Sequence, residues 1–230
     1  MARYFADGDP VVGPEQITTG AGAVVFFDDF TRASLSASTD VSDWDCLGTN
    51  SGTFTLDEGT LAGGWMKLTT GTIIGNETSA QANGAAFLLA QGKQLYMETS
   101  LYIADVDRAA FFAGIGIPGD DQLVDGATDL LGIRMLDGTA SVVPNFVSEK
   151  DSTETTLSTG VTLADSTAVK FGMAWDGVST VTCYANNERV GTITTNICDD
   201  ASLTPSFEVL AKHGSAQSLY VDYILVRQER

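Results

Sequence analysis

The chain is poor in the side chains that most active-site chemistry needs. Of its 230 residues one is histidine, His213, and three are cysteine, Cys46, Cys183 and Cys198. A single imidazole excludes a multi-histidine metal centre and leaves a nucleophile–histidine triad only one candidate base. The cysteines are odd in number and lack metal-ligand spacing. They are expected to be buried free thiols, with a Cys183–Cys198 bridge as the alternative. Basic residues are scarce as well: 12 Lys and Arg stand against 30 Asp and Glu, a net charge of −18. That balance argues against nucleic acid, whose phosphates need clustered cations, and against anionic membrane surfaces. Its plain consequence is solubility through self-repulsion. No apolar run approaches the roughly 20 residues that cross a bilayer as a helix; the longest, Ala109–Ile117, is strand-sized. Residues Met1–Pro10 show no basic region followed by an apolar stretch, so no secretory signal is expected. The initiator Met is read as the start of a complete product.

What is present is enough apolar sequence for one large domain. At 43% hydrophobic content and 230 residues, the chain can bury roughly 70% of its unfolded surface without disulfide or metal. Residues 1–23 are rich in Gly, Pro, Asp and Thr and show no period of 2 or 3.6. They are read as an extended N-terminal arm, with Arg3, Tyr4 and Phe5 as its contact residues for a neighbouring subunit. Residues 24–230 are read as a single β-sandwich domain.

From Val24 onward the chain alternates strands and turns. Gly52–Leu56 and Trp65–Thr69 are strand candidates, and Ala85–Leu89 is a short apolar run. In Gln94–Ala104, Leu95, Met97, Thr99, Leu101 and Ile103 share one face, while Tyr96, Glu98, Ser100 and Tyr102 share the other. Ala109–Ile117 reads as a strand buried on both faces. Leu130–Leu136, then Asp137-Gly138, then Ala140–Val147 form one hairpin, and Val169–Trp175, Asp176-Gly177 and Thr180–Tyr184 form another. Ser148–Asp165 is predicted to be a loop with a short edge strand. Asn186-Asn187 turns the chain into Arg189–Thr195, and Ser206–Leu210 and Leu219–Val226 complete the domain. A helix over Ala80–Gln91 is disfavoured by Asn83-Gly84. The first strand, Val24–Phe30, and the last, Leu219–Val226, match in character, so the termini are expected to be neighbours in an antiparallel sandwich.

The order of elements resembles the concanavalin A-like lectin and glucanase jelly rolls. Val24–Thr31 resembles their opening strand and Lys170–Thr195 their long hairpin. Leu219–Val226 resembles the closing strand, of the form apolar-Tyr-Val-Asp-Tyr-Ile-x-Val. The resemblance implies an all-β antiparallel sandwich over most of residues 24–230; it does not carry a function with it. Retaining glucanases of this type need two carboxylates about 5 Å apart, supplied from one strand as Glu-x-Asp-x-Glu. Here the nearest segment is Asp105-Val106-Asp107-Arg108-Ala109, which reads as a turn, and Glu98 stands alone. The sequence is therefore read as non-catalytic. The resemblance also implies a structural calcium near the end strands, for which Asp222 and Asp29 are the candidates, although calcium wants six to eight oxygens. No other cofactor is implied. A lectin-like reading would use Trp175 and Trp44 as platforms for a glycan.

The pair of strands at Pro205–Val209 and Tyr220–Val226 also resembles jelly-roll structural proteins of tailed-phage virions. That likeness implies a capsid decoration or cement subunit on the outside of a virion. Its partner would be the major capsid protein or another virion subunit, and it would form a homo-oligomer such as a trimer. Carbohydrate binding is the alternative, and glycoside hydrolysis the weakest reading.

Overall fold

The computed structural model describes residues 23–31, 35–36, 43–48, 52–56, 64–83, 87–119, 122–123 and 127–230. Arg3, Tyr4, Phe5 and the remainder of the arm up to residue 22 lie outside these. The strands are β1 (Ala23–Asp28), β2 (Leu35–Ser36), β3 (Trp44–Gly48), β4 (Thr53–Leu56), β5 (Met66–Thr69), β6 (Glu77–Ala82), β7 (Leu95–Ile103), β8 (Ala109–Gly116), β9 (Leu130–Met135), β10 (Asn145–Lys150), β11 (Thr153–Ser158), β12 (Val169–Trp175), β13 (Val181–Ala185), β14 (Glu188–Ile193), β15 (Thr204–Ala211) and β16 (Ser218–Glu229). Among the described residues there is no α-helix, only a single 3-10 turn at Val106–Arg108.

Two sheets face each other. The terminal sheet runs β14-β13-β12-β7-β16-β5-β4, with β1 also paired to β16. The medial sheet runs β11-β10-β9-β8-β15-β6-β3-β2. All pairs are antiparallel except the short β2–β3 contact. The matching end strands do pair: β1 lies along β16, from Ala23 opposite Glu229 to Asp28 opposite Ile224.

The alternation read in the sequence sets which side chains enter the core. Leu95, Met97, Leu101 and Ile103 of β7 join the core, as do Val169, Phe171, Met173 and Trp175 of β12. From the medial sheet come Phe111, Ala113 and Ile115 of β8, Ile133 of β9 and Phe207 of β15. β8 is buried along its whole length, as its unbroken apolar run requires. Trp44 is the aromatic hub at one end. Its ring lies 5.5 Å from Phe30, 5.6 Å from Phe207 and 5.8 Å from Phe26.

Turn chemistry explains the hairpins. Asp176 Oδ1 accepts from the amides of Val178, Ser179 and Thr180 at 2.7, 2.9 and 3.0 Å, while Gly177 takes the left-handed φ of 80° that closes β12 onto β13. Asn186 and Asn187 adopt φ of 50° and 70° between β13 and β14, as a two-residue hairpin turn demands. Asp151 and Ser152 do the same at 49° and 60° between β10 and β11. β11 is the short edge strand expected within residues 148–165, and this third hairpin takes the place of part of the loop expected around it. β10 correspondingly begins at Asn145 rather than Ala140. All three cysteines are buried free thiols, and burial pushes Cys183 and Cys198 up to about 12, which keeps them unreactive.

Candidate functional site

The outward face of the terminal sheet gathers the described tyrosines around one buried acid. On β7 the positions between the core residues are Tyr96, Glu98, Ser100 and Tyr102. β12 and β13 add Lys170 and Tyr184, which pair in register with Ser100 and Gly172. β16 adds Tyr220 and Tyr223. Three residues apart, these two would point to opposite faces of a regular strand. A bulge between Val221 and Tyr223 shifts the register by one, so both point outward and Asp222 is the extra residue. All five described tyrosines thus lie on one face.

Glu98 is the centre of this face. It is 8% exposed, accepts from Tyr96 Oη at 2.6 Å and from Tyr223 Oη, and pairs with Lys170 Nζ at 3.2 Å. Lys170 also lies over the Tyr223 ring, 5.8 Å from its centroid. Burial raises both phenols above the usual tyrosine range, and the neighbouring carboxylate of Glu98 adds to the rise. The arrangement is a satisfied buried carboxylate, with its oxygens committed to tyrosines and a lysine.

Next to it runs an aromatic ladder. Tyr102 and Tyr220 stack at 4.4 Å and 13°, Trp65 packs on Tyr102 at 5.2 Å, and Lys67 Nζ sits 5.1 Å from the centroid of Tyr220. β5 and β7 flank β16 on opposite sides, so Lys67 and Tyr102 take the two faces of Tyr220. These rings are used on one another.

The tryptophans read as sugar platforms are in the core. Trp44 is 0% and Trp175 2% exposed. Trp175 shares the phase of Phe171 and Met173 and donates Nε1–H to the Ala90 carbonyl at 3.4 Å. Trp44 donates to Asp28 Oδ2 at 2.8 Å. Neither presents a ring face to solvent, so the platform reading of both is corrected.

The calcium candidates are neighbours. Burial raises the Asp222 carboxyl; a hydrogen bond from Ser100 opposes the rise and the charge of Asp29 adds to it. Asp29 Oδ1 is engaged by the Thr31 hydroxyl at 2.7 Å and the Thr31 amide at 3.2 Å. No group of three or more Asp, Glu, His or Cys side chains suited to a metal occurs among the described residues.

The medial sheet's outward face is filled at its centre. Phe112 lies over Gly114 and Gly132, where a Cβ would stand 2.9 and 2.8 Å from its ring. Leu130 and Val147 pack beside it, under Leu123 and Ala127. To one side is a hollow of about 190 Å³ lined by Asp45, Leu47, Glu77, Ser79, Gln81, Gly119 and Glu208. A connecting loop is tied down at its rim: the Gly119 amide donates to Gln81 Oε1 at 2.6 Å and the Gln122 amide to Glu208 Oε2 at 2.8 Å. No described strand has acids at three alternate positions; among them only β16 carries two acids, Asp222 and Glu229, and their odd spacing of seven residues does not match the alternation. Asp105–Ala109 is a turn, as expected, with Arg108 bridging Asp105 and Asp107 at 3.4 and 3.9 Å.

Solved structures superpose on this architecture. The Bacteroides ovatus mixed-linkage-glucan protein of glycoside hydrolase family 16, solved with its G4G4G3G product, gives a TM-score of 0.61 at 14% identity over 86% of this chain and 98% of its own. The carbohydrate recognition domain of Emp47p gives 0.58 at 12% identity, over 86% and 94%. The fold is the lectin and glucanase jelly roll. A protein of unknown function from Shewanella oneidensis MR-1 gives 0.60 at 16% identity, covering 92% of this chain and 88% of that one. No protein-family model and no curated protein matches the sequence. Jelly rolls at this distance include both enzymes and sugar-binding domains, so the likeness carries the fold alone.

Proposed function

We propose that the chain is a non-catalytic virion structural protein, a decoration subunit that attaches to an assembled capsid shell. The observation that supports the non-catalytic half is the state of Glu98. The one acid central to the tyrosine face is buried and held by Tyr96, Tyr223 and Lys170, so it is committed to structure rather than free to serve in a catalytic carboxylate pair on that face. The sandwich supports the structural half: with β1 and β16 laid side by side in one sheet, it is a rigid body suited to being carried on a surface. Such a subunit stabilises a shell by binding it more tightly than free capsomers. Trimerisation at a local threefold would multiply weak contacts.

The test is cosedimentation. Assembled shells and unassembled capsid protein, both from the virus encoding the chain, are incubated with the purified full-length protein. Preferential binding to shells, with a raised shell melting temperature, is expected. Equal binding to both, or none, removes the decoration role. Reducing sugar released from a panel of β-glucans would overturn the non-catalytic half, and saturable binding on a glycan array would favour a lectin.

A further inference from the structure

Three of the seven exposed large hydrophobic side chains among the described residues lie at one end of the sandwich. Ile73 and Ile74 are 64% and 65% exposed, and Leu136 is 51% exposed. The two isoleucines form a knob on the connection from β5 to β6. That connection is tied down. Asn76 Oδ1 accepts from the Ile73 amide at 3.1 Å, the Asn76 amide donates to the Ile73 carbonyl at 3.0 Å, and the Gly75 amide donates to the Ala211 carbonyl at 2.9 Å. Asn76 is itself buried. A side chain already held in place loses little freedom on binding. Leu136 belongs to a hollow of about 330 Å³ where β9 passes to β10, lined also by Asp137, Ala140, Val143, Asn145 and Ser158.

Knob and hollow stand at the same end of the medial sheet. β6, β15, β8 and β9 are consecutive there. Leu210 lies opposite both Glu77 and Ala110, and Phe111 lies opposite Met135. The two features are therefore three strand spacings, about 15 Å, apart. Between them the Lys212 amide donates to the Arg108 carbonyl at 2.9 Å. Charge permits a like partner here. Residues 70–76, 104–108, 136–144 and 212–217 carry two bases, Arg108 and Lys212, against three acids, Asp105, Asp107 and Asp137. That is a net −1 in a chain of net charge −18, so two copies that repel elsewhere can meet at this end. A two-fold contact needs a patch that complements itself, with residue i of one copy on residue j of the other and the reverse. An apolar knob beside a hollow lined by Leu136, Ala140 and Val143 is such a patch.

We propose that two copies of the chain pair at this end about a two-fold axis near Arg108 and Lys212, the Ile73–Ile74 knob of each seated in the Leu136 hollow of the other. A specific interface buries about 800 Å² per partner, more than these three side chains expose. The contact is therefore weak and concentration-dependent. It does not depend on the virion reading. On a shell, where copies are crowded, the same contact would join neighbouring subunits. The pairing can fail while shell binding survives, and the reverse.

The experiment is oxidative cross-linking of the full chain, whose three native cysteines are buried. Ile74→Cys and Leu136→Cys change exposed positions and leave the core intact. A disulfide needs Cα atoms within about 7 Å. Across the axis Ile74 meets Leu136, whereas two copies of Ile74, or of Leu136, stay about 15 Å apart. Each single variant should therefore remain monomeric on a non-reducing gel, and an equal mixture of the two should give a disulfide-linked dimer. The double variant should stop at the dimer. Sedimentation equilibrium of the parent should show monomer and dimer, and Ile73→Asp with Ile74→Asp should raise the dissociation constant at least tenfold. No dimer from the mixture overturns the proposal. So does a dimer from either single variant, which places the contact elsewhere, or a ladder beyond the dimer from the double variant, which makes the contact head-to-tail.

Discussion

Removing the Glu98 carboxylate should be among the most damaging single changes on the outward surface. In Glu98→Ala two phenol donors lose their acceptor at once. Tyr96 is wholly buried, so its hydroxyl bears a desolvation cost of about 1–3 kcal/mol. Tyr223 is partly exposed and recovers some of its loss from water, which leaves about 1 kcal/mol. Lys170, with 26% of its side chain exposed, rehydrates and adds little. The expected loss is about 3 kcal/mol, a large part of the roughly 5–15 kcal/mol that holds a domain folded. Glu98→Gln keeps the volume and one acceptor and should lose about 1 kcal/mol. Urea unfolding followed by tryptophan fluorescence measures each value, since Trp44 and Trp175 report on the core. The decisive comparison is Glu98→Ala with Tyr96→Phe. The double variant no longer strands the Tyr96 hydroxyl, so it should be less destabilised than the sum of the singles by about 1–2 kcal/mol. A Glu98→Ala loss under about 0.5 kcal/mol, or strict additivity, would refute the network. The same geometry predicts alkaline behaviour. Tyr96 and Tyr223 hold their protons more tightly when folded, so the folded state binds more protons as pH rises past the ordinary tyrosine value near 10. Their stability contribution is full below that pH and falls above it. Absorbance at the phenolate band should therefore show these tyrosines ionising together with unfolding.

Three further outcomes follow from single residues. Burial would lift the Asp176 carboxyl, but the amides of Thr180, Val178 and Ser179 outweigh it and hold it below the usual range. Asp176→Ala should cost about 1–2 kcal/mol, and in the parent protein that contribution should fade only as pH drops below about 4, read by urea midpoints across an acid series. Asp222 is raised by burial, so its contribution falls as pH climbs through its folded value. Asp222→Asn should raise the neutral-pH melting temperature, while added calcium should leave the parent unchanged, and a calcium-dependent rise would restore the metal reading. In Gly114→Ala the new Cβ would stand 2.3 Å from the Leu131 carbonyl oxygen. The overpacking should cost about 1–3 kcal/mol by calorimetry, and a neutral effect would mean that Phe112 does not lie over this glycine.

What could be read from the sequence divides by periodicity. β7 and β12 were legible because large apolar residues mark every second position, and β8 because apolar residues fill both faces. β6 was not, since its inward positions are Thr78, Ala80 and Ala82, too small to signal a core strand, and β3 is a short run whose inward residues are Trp44 and Cys46. Trp175 was misplaced although the signal was present: it stands in phase with Val169, Phe171 and Met173. The tyrosine face was hidden for a different reason. Period two assigns Tyr96 and Tyr102 to one side of β7, but on β16 it separates Tyr220 from Tyr223. Only the bulge at Asp222 unites them, and a bulge is a property of the paired ladder that one strand's sequence does not display. The same bulge moves Asp222 out of the regular alternation, beside Ser100 and Asp29. The residue that looked like a calcium ligand in the closing strand is thus the one that the ladder skips, which leaves Tyr223 on the side of Glu98. Deleting it would leave Val221 opposite Leu101 and Tyr223 opposite Ser100 in a regular ladder, so Tyr223, Leu225 and Arg227 should stay outward and Ile224 and Val226 inward. The Glu98 network and the core therefore depend on the bulge that takes Asp222 out of the pairing; a ladder that paired Asp222 would turn Tyr223 inward and Ile224 out.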